Sequence, residues 1–286
     1  AAGASRSAAS PRSHSSRLDP ALSAPLDKLL RADLAFTLAH GSEPCYDIWE
    51  EEIGLHYYTL RVAAAALEEG AEWLTSAGES REAAACRAQA ARLLAELDGF
   101  WLPDAGFLRS RVLPSGARSA KELDISVVLA VLHAYRSDAC APSRDADRSA
   151  HSVHDPHVHA TLERLEALFE AEYPINRSRP AGGAPALGRY AGDRYYSGGA
   201  YYFATLAAAE INFRAGAAPG QPRSGALLAR GNAYLETVRA FTPPSGDLSE
   251  QFDRQTGAQT SAKHLAWSYA AFITCMAAKR AAERRI

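Results

Sequence analysis

Apolar residues fall along this chain in two alternating patterns. In the first they recur every three or four positions with charges opposite, as at Leu26, Leu29, Leu30, Leu34 and Leu38, at Leu93, Leu94 and Leu97, and at Leu162, Leu165 and Leu168. That spacing is a one-sided helical stripe, the mark of a surface helix. In the second, the stretches VVLAVLHAY, YYFATLAAAE and LAWSYAAFITCMAA are apolar on nearly every side, which predicts helices covered on both faces. Together the patterns predict eight helices: 22–40, 55–77, one beginning at 79, 124–135, one opening at Asp155-Pro156, 199–215, 225–241, and one from 261 to the end. Asp155 suits an N-cap and Pro156 the first turn after it. Striped and all-round apolar helices alternate, and an inner helix after each outer one is the plan of an all-α toroid.

The connections add a second regularity. Each outer-to-inner link is decorated (40–54, 101–123, 174–198 and 243–259), whereas the inner-to-outer links are simpler. In a toroid the decorated links gather at one end, where a rigid scaffold can hold a site.

Composition narrows the function classes. The 286 residues include 31 Lys+Arg and 33 Asp+Glu, a formal charge of −2 that offers no basic face for nucleic acid. No apolar run approaches the roughly 18 residues of a membrane span. The four cysteines, Cys45, Cys86, Cys140 and Cys275, form no CxxC pair, which argues against a zinc ribbon or a dense disulfide framework. Residues 1–18, rich in Ser and Ala without an apolar period, read as a disordered segment before a single domain over 19–286.

Carboxylates beside aromatics mark two of the decorated links. CYDIWEEEIG packs Asp47, Glu50, Glu51 and Glu52 around Trp49, and GDLSEQFDRQTG holds Asp247, Glu250 and Asp253. Two such loops on one rim suit glycoside hydrolysis, in which one carboxyl protonates the leaving oxygen and the other activates water or attacks. Acidic neighbours and an aromatic wall are expected to favour the protonated form of the first. The bland alternative for the EEE run is a solvated helix start complementing the dipole.

Three segments then carry a resemblance. YDIWEE with Tyr57 and Tyr58 resembles the catalytic-acid segment of glucoamylases, glycoside hydrolase family fifteen. GDLSEQF followed by TSAKHLAWSYAA resembles their catalytic-base segment and last inner helix, and GRYAGDRYYSGGAYYF their substrate-loop segment. The resemblance implies an (α/α)6 toroid with about eight of its twelve helices present, the match beginning at what resembles the fifth. It implies release of β-glucose from non-reducing ends of α-1,4-glucans or malto-oligosaccharides with inversion and without a cofactor. Glu50 would be the general acid and Glu250 the general base. Gln251 would help orient the water, Glu51 and Arg189 would bind the sugar on the leaving-group side, Trp49 would form an aromatic wall, and Asp47 would be a structural acidic neighbour. Two alternatives stay open: an inactive α-glucan-binding remnant, and a related toroid acting on α-1,6-glucan or trehalose. The substrate class favours an extracytoplasmic location, and an exposed toroid edge predicts self-association.

Departures from the family pattern fall in the substrate loop, where Ser197, Ala200 and Tyr201 replace the usual Asn and Pro-Trp. HSVHDPHVH superficially suggests a metal site, but its histidines straddle a helix start rather than sharing a face. His56 and His133 read as hydrogen-bonding residues of the interior or rim. Asn176-Arg177-Ser178 fits a glycosylation acceptor.

Overall fold

The alternation of apolar patterns becomes a two-layered arc of helices in the computed structural model, which describes residues 20–135, 150–179, 181–218 and 220–285, with side chains from residue 24. The segment 1–18 and Cys140 lie outside the described residues. Among those described, the helices are α1 (Pro20–His40), α2 (Tyr57–Ser76), α3 (Ser80–Leu97), α4 (Ser126–His133), α5 (Pro156–Glu172), the single turn α6 (Pro174–Arg177), α7 (Tyr202–Gly216), α8 (Ser224–Ala240) and α9 (Ala266–Glu283). The inner row runs α2, α4, α7, α9, each packed on the next, while α3 covers α2, α5 lies against α4, and α8 covers α7. None of the described helices is long and apolar enough to cross a membrane.

Burial follows the sequence pattern, with one correction. Every residue of α7 except Arg214 is buried, and α4 is buried from Ser126 to Leu132. Each large apolar side chain so covered contributes about 1.5–3 kcal/mol. The outer helices bury one stripe, as in α3 with Ala83, Cys86, Ala90, Leu93 and Leu97. Helix α8 approaches α7 closely at Gly231, where a Cβ would lie 2.5 Å from the Phe213 ring. The correction is α9, expected to be covered all round. Only Ser268, Cys275, Ala278 and Ala282 are buried, and Phe272 and Ile273 face outward, because among the described helices α9 packs chiefly on α7 and α8 and leaves its other side open.

Helix starts also move. The residues before three inner helices are short strands: β2 (Ile53–His56) before α2, β6 (Ala200–Tyr201) before α7, and β8 (Gln259–Thr260) a few residues before α9. The remaining strands are β1 (Cys45–Tyr46), β3 (Trp101–Leu102), β4 (Phe107–Leu108), β5 (Arg111–Val112) and β7 (Gln251–Phe252). They form the antiparallel sets β1-β2-β5, β3-β4 and β6-β7-β8, with a bridge from Asp124 to Tyr190. These pairings zip the four decorated links into one continuous rim. β2–β5 joins the first link to the second, the Asp124 bridge joins the second to the third, and β6–β7 joins the third to the fourth.

The histidines behave as scaffold. Asp155 caps α5 by accepting from the His157 N–H at 2.8 Å. His151 is buried between the Tyr57 hydroxyl and Asp98, His157 stacks on Trp101, and His159 meets the Val153 carbonyl. His56 is buried with Nε2 3.0 Å from the Cys45 carbonyl and 3.1 Å from that of Glu52, so this nitrogen carries the proton. His133 meets the Tyr58 hydroxyl at 2.8 Å. Asn176 is buried, its amide donating to the carbonyls of Phe169 and Ala186 and accepting from the Ala186 N–H. In the folded chain it is a structural residue, closed to glycosylation.

Candidate active site

The first rim loop is shaped by Asp47. Its Oδ1 accepts the backbone N–H groups of Trp49 and Glu51, each at 3.0 Å, while the Glu50 N–H donates to the Asp47 carbonyl at 3.0 Å. This tight turn leaves Glu50 at φ 59°, in the left-handed region that most side chains avoid. Glu50 is exposed and, among the described residues, its carboxyl has no hydrogen bond or ion pair. The other carboxylates of the loop are all engaged. Asp47 Oδ2 and Glu52 both receive Nη1 of Arg111, at 2.7 and 2.8 Å, and Ser119 also donates to Glu52. Burial alone would raise the Glu52 carboxyl, but these Ser119 and Arg111 contacts outweigh it and hold the group low.

Arg111 is the hub beneath the loop. Its side chain is 1% exposed, and its Nη2 reaches Asp124 at 2.6 Å. Asp124 also accepts the Trp49 indole N–H at 2.9 Å and the Ser126 N–H at 2.7 Å. Full burial outweighs the Arg111 charge and these hydrogen bonds, pushing the Asp124 carboxyl up to about 6. Trp49 is thereby pinned by its ring nitrogen, with Phe203 and Trp267 stacked nearby at 6.1 and 6.0 Å between ring centres.

Arg189 brings the third loop to the first. Its Nε and Nη2 grip both oxygens of Asp193 at 2.7 Å, and Nη2 also reaches Glu51 at 3.1 Å. The guanidinium lies within 5.5 Å of the ring centres of Trp49, Tyr190, Tyr195 and Tyr201. Glu51 receives two further donors, the Lys121 ammonium at 2.6 Å and the Tyr190 hydroxyl at 2.5 Å. Burial would raise its carboxyl, but Lys121, Tyr190 and the Arg189 charge overcome that and lower it.

Glu250 stands on the fourth loop, immediately before β7. Its N–H donates to the Ala262 carbonyl at 2.8 Å, its carbonyl accepts from the Tyr202 N–H, and its carboxylate accepts from the Ser261 hydroxyl. Gln251 is fully buried and wholly engaged. Its amide nitrogen donates to the Tyr201 hydroxyl at 2.8 Å and to the Tyr195 carbonyl at 3.2 Å, and its oxygen accepts from the Gly199 N–H at 3.3 Å. Asp47, Trp49, Glu51, Arg189 and Gln251 thus belong to one connected patch, with Glu50 and Glu250 at its two ends. Arg111, Lys121, Tyr190 and Ser261 complete it without having been anticipated, since their roles exist only once separate loops pair, and Tyr201, a departure from the family pattern in the sequence, joins them as a buried hydrogen-bonding residue. Among the described residues no group of three or more His, Cys, Asp or Glu side chains is arranged to hold a metal ion.

Comparison with known proteins fits this architecture. The sequence profile of the glycosyl hydrolases family 15 matches residues 13–230 and 225–277. A glucoamylase of Neurospora crassa is 31% identical over 289 aligned residues, covering 88% of this chain and 44% of that protein. The glucoamylase structure from Hormoconis resinae superposes with a TM-score of 0.76 at 25% identity, over 89% of this chain and 49% of that one. The family 15 glucoamylase of Hypocrea jecorina gives 0.73 at 28% identity, over 87% and 46%. The chain therefore spans about half the length of the relatives it matches. Its arc of inner and outer helices has the (α/α)6 toroid architecture of those glucoamylase structures. With the profile matched along most of its length, this chain belongs to glycosyl hydrolase family 15.

Proposed function

We propose that this chain carries the acid and base of an inverting exo-glucosidase that releases β-glucose from the non-reducing ends of α-1,4-glucans and malto-oligosaccharides. Glu50 is the general acid that protonates the leaving glycosidic oxygen. Glu250 is the general base that activates water on the opposite face of the sugar, which requires a gap of roughly 6.5–9.5 Å between the carboxyls. Glu51 and Arg189 bind hydroxyls on the leaving-group side, and the Arg fork, already fixed on Asp193, offers its remaining edge to the sugar. Trp49 forms the wall and Asp47 shapes the acid loop.

One observation carries the reading: the rim pairings bring the Glu50 loop and the Glu250 loop into a single patch through Arg189, Tyr201 and Gln251. Its chemistry suits the role, because Glu50 alone on its loop has a carboxyl without a protein partner among the described residues. The relatives' name, glucoamylase, agrees with the substrate class.

The test is glucose release from maltoheptaose with the anomer read by NMR, for the wild-type chain and for Glu50→Gln and Glu250→Gln. Release of β-glucose, abolished by either substitution, supports the assignment. A chain shown to be folded by circular dichroism that releases no glucose, or releases the α-anomer, overturns it.

A further inference from the structure

We infer that Tyr201 is a positioning residue that couples the sugar-binding Arg189 to the strand that follows the base, an inference that rests on the proposed function above. Three observations converge on it. Its hydroxyl donates to Asp193 Oδ2 at 3.3 Å, the same oxygen that accepts Arg189 Nε at 2.7 Å. It accepts the Gln251 amide N–H at 2.8 Å. The backbones of Tyr201 and Gln251 are direct partners in the β6–β7 ladder, so side chain and main chain tie the same two positions. Tyr201 is 1% exposed and therefore has no contact with bulk water to lose or gain.

The consequence is geometric. Asp193 fixes the direction of the Arg189 fork, and Gln251 is the residue next to Glu250. A phenol between them, donating on one side and accepting on the other, is satisfied only when both are in register. The Gln251 amide has no capacity left over. Its nitrogen donates to Tyr201 and Tyr195 and its oxygen accepts from Gly199 and from the Ser197 hydroxyl, so it fixes the substrate loop against β7 and acts on the reaction through Glu250. Tyrosine also matters as a residue type here. An indole at 201 could donate to Asp193 but could not accept from Gln251, so the link in this chain depends on the hydroxyl.

The test is a double-mutant cycle in the full chain with Tyr201→Phe, Gln251→Leu and the double variant, assayed on maltoheptaose. Each single variant should lower kcat about tenfold with KM within about twofold, because misaligning the base harms the transition state more than ground-state binding. The double variant should fall no further than the worse single, and Tyr201→Trp should not restore kcat. Multiplying losses in the double variant, or a rise in KM with kcat intact, overturn the inference. A second readout is independent of turnover: the Arg189 Nε–H signal in NMR. It should shift in Gln251→Leu although Gln251 does not touch Arg189. No shift overturns the coupling even where the enzyme is active. A shift in a chain that releases no glucose supports the link while the functional reading fails.

Discussion

Arg111 and Asp124 form an ion pair at 2.6 Å in which the arginine side chain is 1% exposed and the aspartate is fully buried. The same guanidinium holds Asp47 and Glu52, so one cation balances three carboxylates from two rim loops. Removing the cation strands charge in a place water does not reach. Arg111→Met should therefore destabilise the chain by about 3–5 kcal/mol. Arg111→Lys should recover part of this, since an ammonium cannot reproduce the fork. Urea unfolding at constant m-value measures it. A loss under about 1 kcal/mol for Arg111→Met would mean that the carboxylates find other partners.

Asp124 itself predicts a pH dependence. Its carboxyl is raised by burial from the ordinary 3.8 to about 6 in the folded chain. The folded state thus binds this proton more tightly than the unfolded state. The associated stability is fully present below about pH 4 and is lost as pH rises through about 6, a span worth about 3 kcal/mol. Asp124→Asn removes the titration. The stability difference between wild type and Asp124→Asn should swing by most of that amount, in favour of the variant, between pH 4 and pH 7. A difference that stays flat across this range refutes the shift.

How far the sequence reveals this molecule depends on the range of the interaction that decides each feature. Helices α4 and α7 are legible because their burial is written in consecutive residues, and α5 because Asp155 and Pro156 cap it locally. The helix starts at 57, 202 and 266 are not. The residues before 57 and 202 belong to two- to four-residue strands, too short for a period and fixed by partners on other loops, and α9 follows β8, paired with β7 of its own link, after five further residues. Asp124 reads in sequence as a helix cap, and it does accept the Ser126 N–H. Its larger role with Arg111 and Trp49 depends on positions 13 and 75 residues away. Nothing in RSRVLPSG distinguishes Arg111 from a surface arginine. The candidate carboxylates Glu50 and Glu250 stand out only through their aromatic neighbours and the family resemblance.

Helix packing gives a prediction away from the site. Gly231 of α8 meets Phe213 of α7 so closely that a Cβ would lie 2.5–2.8 Å from three ring carbons. The ring is fully buried and cannot swing into solvent. Gly231→Ala gains helix propensity but must push the helices apart, so a net loss of about 1–3 kcal/mol is expected. Thermal unfolding of the variant checks it, and an unchanged or raised Tm would show that α8 is free to shift.

Apolar side chains gather at both ends of the helix row. Leu29, Leu30 and Phe36 of α1 are 56, 47 and 67% exposed, and Phe272 and Ile273 of α9 are 42 and 66% exposed. Faces of this kind favour association of copies of the chain. Sedimentation velocity should show weight-average mass rising with concentration, and Phe36→Lys with Ile273→Lys should reverse the rise. A monomer at every concentration would refute self-association through these faces.

The last prediction concerns strain at the candidate acid. Glu50 occupies φ 59° because the Asp47 carboxylate holds the N–H groups on either side of it, at Trp49 and Glu51. For a residue with a Cβ that conformation costs roughly 1–2 kcal/mol, and glycine adopts it without the clash. Glycine also raises the entropy of the unfolded chain, which offsets part of the gain. Comparing Glu50→Gly with Glu50→Ala removes the carboxyl from both and isolates the Cβ. The glycine variant should be the more stable by about 0.5–1 kcal/mol in urea unfolding, while neither releases glucose from maltoheptaose. If alanine were equally stable, the turn would not be held left-handed in solution. The exposed, unpaired placement of the Glu50 carboxyl would then lose its structural basis. If the order holds, the strain at Glu50 is kept for the position it gives the carboxyl, because a residue selected for stability alone would be glycine.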